Sequence, residues 1–189
     1  MAKTTILRTN RILERRQRRE SPTQREILPV GKVEALKLGA ICRPVLVPHT
    51  NVYIASAAGH LPSQINRLLD RSTLFHCSVS LAQLSLRVGG PSPLSPGWGA
   101  MTEHYRKLLK LIPATRVLTP DDFTRREADR IADVLAAKHG LGVAERRVYL
   151  DDALFYLTTA QAGLSILAPN LVSLRRIHAL AANGRWVVI

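Results

Sequence analysis

Cysteine is scarce: two residues in 189, Cys42 and Cys77, far apart and in no metal-ligand spacing. That excludes a disulfide framework and a cysteine-based zinc site, and it fits a reducing compartment with idle thiols. Aromatic residues are only 5% of the chain, and Trp98, Tyr105, Phe155 and Tyr156 are too scattered to form a base-stacking platform, so they are read as core. No apolar run approaches the roughly 20 residues that a membrane-spanning helix needs, so no membrane role is expected. The Met1 end lacks the apolar run of a signal peptide. Its Arg-rich residues 1–19 contain one acid, Glu14, and are read as a basic arm in preference to a transit peptide, with a cytoplasmic location expected.

Acids are also in short supply. Against 14 Asp and Glu stand 27 Lys and Arg, a formal charge of +13. Residues 1–44 hold 11 basic and 4 acidic side chains, and residues 45–189 hold 16 and 10. Such an excess favours a polyanion, most simply RNA or DNA, through counterion release. Arg11, Arg15, Arg16, Arg18 and Arg19 fall in a stretch with too few apolar residues to bury a core, and their clustering marks an RNA-contacting arm over a merely solvated tail. Two parts are therefore expected: a flexible basic arm over 1–44 and one α/β domain over 45–189.

From residue 45 onward, short apolar runs alternate with helical periods. Strands are expected at 45–47, 73–77, 116–118, 165–167 and 186–189. Helices are expected at 51–58, 62–70, from Ser78 to the Gly89-Gly90 pair, 101–111, from Thr119-Pro120-Asp121-Asp122 to Gly140, 151–162 and 171–182. Thr119 is the expected N-cap of the fifth of these, with Pro120 in its first turn. Five short strands alternating with helices predict a mostly parallel sheet covered on both faces, a three-layer α/β fold. In such a sheet, ligands gather at the carboxyl ends of the strands. That rim collects His49, Thr50 and Asn51 after the first strand and Asn170 after a late one.

The distribution of these positions resembles that of PIN domains, most closely the VapC-type toxins of bacterial toxin–antitoxin pairs. The stretch Val45-Leu46-Val47-Pro48-His49-Thr50-Asn51-Val52-Tyr53-Ile54 resembles their opening of strand, Asp-Thr-Asn and apolar helix. Ser78-Val79-Ser80-Leu81-Ala82-Gln83-Leu84 resembles the second signature, with Gln83 where a Glu is usual. Asp151-Asp152-Ala153-Leu154 resembles the third. The closing signature, an Asn followed three residues later by Asp, is matched by Asn170 and Ser173. The resemblance implies a metal-dependent RNA endonuclease using Mg²⁺ or Mn²⁺, an antitoxin or other protein partner, and a homodimer.

Carried over residue by residue, the resemblance places His49, Gln83, Asp152 and Ser173 where four acids are usual, so only Asp152 is acidic. Asp152 is the expected metal ligand, with Asp151 as a second acid and Thr50, Asn51 and Asn170 orienting the site. At an effective dielectric near 20, two unit charges about 4 Å apart interact by about 4 kcal/mol, so three missing carboxylates weaken divalent binding heavily. Gln83 keeps an oxygen without charge, and His49 suits manganese, iron or zinc better than magnesium. The blander readings are an acid at a helix start for Asp151 and Asp152, and a histidine hydrogen-bonded to nearby backbone for His49. Two functions follow: a nuclease of this family with impaired activity, or an inactive relative that binds RNA or a protein and needs no cofactor.

Overall fold

The computed structural model describes residues 43–89, 98–169, 172–181 and 184–188, all within one compact unit, Glu34–Ile189. The arginines at 11–19, Cys42 and Asn170 lie outside the described residues. Strand β1 (Val45–Pro48) leads into helix α1 (Thr50–Ala57), followed by α2 (Ser63–Arg71) and the short strands β2 (Thr73–Leu74) and β3 (His76–Cys77). Then come α3 (Ser78–Gly89), α4 (Trp98–Leu111), a 3₁₀ turn (Ala114–Arg116) and β4 (Val117–Leu118). The chain continues through α5 (Asp122–His139), α6 (Val143–Gln161), β5 (Ser165–Ala168), α7 (Val172–Ala181) and β6 (Arg185–Val188).

All strand pairings are parallel, as crossovers through helices require. One sheet runs β2-β1-β5-β6, and β3 pairs with β4 in a second ladder. The sequence reads residues 73–77 as one strand. The structure splits it at Phe75, whose N–H still donates to the Leu46 carbonyl while the residues beyond it turn to β4. One stretch thereby joins the two ladders.

Alternation along the central strands shows why both faces are covered. Val47 and Ile166 enter a core with Ala128, Ile131 and Leu135 of α5, Tyr156 of α6 and Ile177 of α7. Their neighbours Leu46 and Leu167 enter a different core with Val52 of α1 and Ile65 and Leu68 of α2. Successive side chains of a strand point to opposite faces, so each central strand serves both layers. Tyr105, Phe155 and Tyr156 are buried, as core aromatics.

Two helix starts differ from the sequence expectation. Helix α5 is capped by Asp121, not Thr119: the Asp121 carboxylate accepts the Thr124 N–H at 2.7 Å, and Pro120 lies ahead of the helix. A carboxylate at that place also faces the positive end of the helix, which a hydroxyl does not exploit. Its other end stops at Gly140 in the left-handed region (φ 59°), as expected. The larger difference is α6, which begins at Val143 instead of 151, with Glu145 reaching back to the Gly142 N–H. Asp151 and Asp152 therefore sit in mid-helix, and the reading of them as acids at a helix start is corrected.

Gln161 donates to Asp121 at 2.8 Å, and this bond, followed by the Thr124 N–H, holds the Asp121 carboxyl down to about 2. A folded-state value below the unfolded one means that the group stabilises the fold above about pH 4, and that this contribution is lost as pH falls towards 2. Asp121→Ala is expected to lower the melting temperature at neutral pH, with the gap to the parent narrowing across that acid window. A gap that stays constant with pH would show that the cap acts through packing alone.

Candidate functional site

The carboxyl end of β1 faces helix α6 at its centre. His49 follows the strand, is 5% exposed, and caps α1 by accepting the Asn51 N–H on Nδ1 at 3.2 Å. A backbone N–H can only donate, so Nδ1 is the bare nitrogen and Nε2 carries the proton. That proton points at Oδ1 of Asp152, 3.1 Å away. The ring stands edge-on to Phe155, with centroids 5.0 Å apart, one helical turn along from Asp152. Backbone bonding and an acid partner are thus combined in one histidine.

Asp152 is 6% exposed, and its second oxygen accepts a short hydrogen bond from Ser173 Oγ at the start of α7. Both carboxylate oxygens thereby meet a protein donor. Beside this chain of bonds runs another. Thr50 Oγ1 donates to Gln83 Oε1 at 2.5 Å, Gln83 Nε2 donates to Asp151 at 3.3 Å, and Arg147, one turn earlier on α6, pairs with Asp151 at 3.3 Å. Successive residues of a helix diverge by about 100°, which is why Asp151 serves α3 while Asp152 serves β1 and α7.

The structure therefore brings together His49, Thr50, Gln83, Asp151, Asp152 and Ser173, residues up to 103 positions apart in sequence within a single bond. Asn51 joins through its backbone N–H. Sequence reasoning missed Arg147 and Phe155. Arg147 carries a signal, a cation four residues before Asp151, while nothing in the sequence sets Phe155 apart from other core aromatics. Among the described residues, no three His, Cys, Asp or Glu side chains come together as a metal-holding group. No helix there is long and apolar enough to cross a membrane.

A parallel sheet sandwiched by helices, with these positions at the carboxyl end of its central strand, defines a PIN-like α/β fold. The chain is similar to a chain in the structure of VapBC2 from Rickettsia felis bound to a DNA fragment from their promoter. Identity there is 15% and the TM-score 0.52, over 77% of this chain and 98% of that one. It is also similar to a chain of FitAcB from Neisseria gonorrhoeae, with 17% identity and a TM-score of 0.51 over 75% and 96% of the two chains. At such identities the likeness is one of fold. No family model and no curated protein matches the sequence.

Proposed function

We propose that this chain is a PIN-fold protein of the toxin–antitoxin type that binds RNA without cleaving it. One observation carries the reading: the positions that would hold a divalent ion converge, yet their polar groups are hydrogen-bonded to one another. A nuclease of this kind needs free carboxylate oxygens around Mg²⁺ or Mn²⁺. Here His49 and Ser173 aim an N–H and an O–H at the two oxygens of the Asp152 carboxylate, standing where a bound cation would have to approach. Both His49 nitrogens are committed, which leaves no lone pair for a metal. The donor set does not fit a resident divalent ion, and no catalytic step is derived through one.

The RNA partner is supported by the +13 charge and the arginines at 11–19. The toxin–antitoxin assignment, with an antitoxin-like protein partner and a homodimer, rests on the four sequence signatures together with fold likeness to the VapBC2 and FitAcB chains. The test is incubation of a mixed RNA pool with the full chain in Mg²⁺ or Mn²⁺, beside Asp152→Ala, with binding followed on the same samples. Salt-sensitive binding without cleavage is the expected result. Cleavage that disappears in Asp152→Ala would instead make this a working nuclease built around one carboxylate, and would overturn the proposal.

A further inference from the structure

Helix α5 turns Ala128, Ile131, Ala132 and Leu135 into the core and packs on α6. One flank left outside the core is used within the protomer, where Asp129 and Asp133 both bind Arg146 of α6. The other flank carries Phe123, Glu127, Arg130 and Val134. Their spacings of four, three and four residues place them in a single row along the helix. Phe123 is 68% exposed and Val134 38%. Among the large apolar side chains that the described residues expose, Phe123 is the one aromatic. Apolar residues exposed singly are ordinary. These two belong to one row, and Phe123 also borders a groove with Leu157 and Ala160 of α6.

Between the apolar ends sits a charge pair: Arg130 donates to both oxygens of Glu127, at 2.9 and 2.5 Å. The row is thereby self-complementary. Read from the other end it runs Val134, Arg130, Glu127, Phe123. A second copy laid antiparallel therefore sets Phe123 against Val134 of that copy and Glu127 against Arg130 of that copy. Each contact then occurs twice, as a two-fold interface between identical chains requires. Alternating spacings of four and three are those of a two-helix seam, where polar residues at central positions fix register and orientation. A parallel pairing would instead set Glu127 on Glu127 and Arg130 on Arg130, which like-charge repulsion opposes. A partner of one charge sign would likewise meet a like charge at the middle of the row, whereas the chain itself supplies both signs in the required order.

We propose that this row of α5, with the adjoining groove on α6, is the face through which two copies of this chain associate, antiparallel and two-fold, with Phe123 packed on Val134 and Glu127 paired to Arg130 across the seam. The proposal rests on the homodimer part of the reading above and gives it a surface; it does not depend on RNA binding. The row spans only about 16 Å of helix, so the interface lies at the small end of specific ones and dimerisation in the micromolar range is expected.

The experiment is sedimentation velocity of the full chain, freed of nucleic acid, at physiological salt through a micromolar concentration series. The samples are the parent, Phe123→Ser, Glu127→Arg, Arg130→Glu and an equimolar mixture of the last two, with thermal melts of each protein beside them. The changed side chains lie on the surface row, so all variants should melt close to the parent. The parent should shift from monomer to dimer with concentration, and Phe123→Ser should weaken dimerisation about tenfold or more. Glu127→Arg would gather four cations at the centre of the seam and Arg130→Glu four anions, so each alone should stay monomeric. Their mixture should form a heterodimer, because each protein then meets opposite charges. Mixing repairs no fold, so recovery in the mixture identifies the seam itself. If the parent dimerises and every variant dimerises equally well, this face is wrong while the homodimer stands. A parent that stays monomeric throughout overturns both the homodimer and this face, and leaves RNA binding untouched. Charge variants that remain monomeric alone and in mixture would overturn the antiparallel register.

Discussion

Converting His49 to Asp, Gln83 to Glu and Ser173 to Asp in one protein is expected to make its stability depend on a divalent cation, whereas the parent melts at the same temperature in chelator and in Mn²⁺. In the parent, the Asp152 carboxylate accepts hydrogen bonds from two protein donors, His49 Nε2 at 3.1 Å and Ser173 Oγ. The substitutions remove both donors and set carboxylates in their place. At an effective dielectric near 20, each like-charge pair about 4 Å apart costs about 4 kcal/mol, so without metal the variant is strongly destabilised. A cation present at a hundred times its dissociation constant returns about 2.7 kcal/mol, or about 5–10 °C of melting temperature in a domain of this size. The start of α1 survives the change, because Asp caps the Asn51 N–H at least as well as the imidazole does. Thermal melts in EDTA and in Mn²⁺ decide the matter, and RNA cleavage by the metal-loaded variant would be a further sign. A folded triple variant that melts identically in both buffers would show that the four positions do not form a latent metal centre.

The other large effect is on Asp152 alone. Asp152→Ala leaves the buried His49 Nε2–H and the half-buried Ser173 hydroxyl without their acceptor, and a buried orphaned donor costs about 1–3 kcal/mol. A loss of about 3 kcal/mol is expected in urea unfolding at neutral pH. Asp152→Asn retains one acceptor oxygen but turns an NH₂ towards the other donor, so its loss should be smaller. The sign separates two kinds of site. In a metal centre crowded with carboxylates, removing one relieves repulsion and stabilises the metal-free protein, whereas in a closed hydrogen-bond network it does the reverse. An Asp152→Ala protein more stable than its parent would mean that the network is not what holds α1, α6 and α7 at this point.

Much of the fold was legible because its signals are local. Strands β1 and β5 fall within a residue of their apolar runs, and the stops at Gly59, Gly140 and Gly163 are glycines with positive φ after a helical period. The start of α6 was not. This helix packs on α5, on α7 and on the sheet, and Phe155, Tyr156, Leu157, Thr158 and Thr159 are all buried in succession. Its first two turns, 143–150, bury only Tyr149 and leave Val143, Ala144, Glu145, Arg147 and Val148 exposed, so no apolar stripe marks the start. The break at Phe75 was hidden for another reason: where a strand changes neighbours is a property of its partners, not of its own residues.

The candidate site divides along the same line. Sequence alone determined the element order, the α/β class, the strand end that presents His49 and Thr50, and the shortage of acids at the positions that the family resemblance marks. Those properties are written in residue type and spacing. Only the tertiary structure decided that His49, Asp152 and Ser173 satisfy one another, that Asp151 is drawn away to Gln83 and Arg147, and that Arg176 is fixed on the Tyr149 hydroxyl. These contacts join separate elements, and hydrogen bonds and charges act over a few ångströms of space, whatever the distance along the chain.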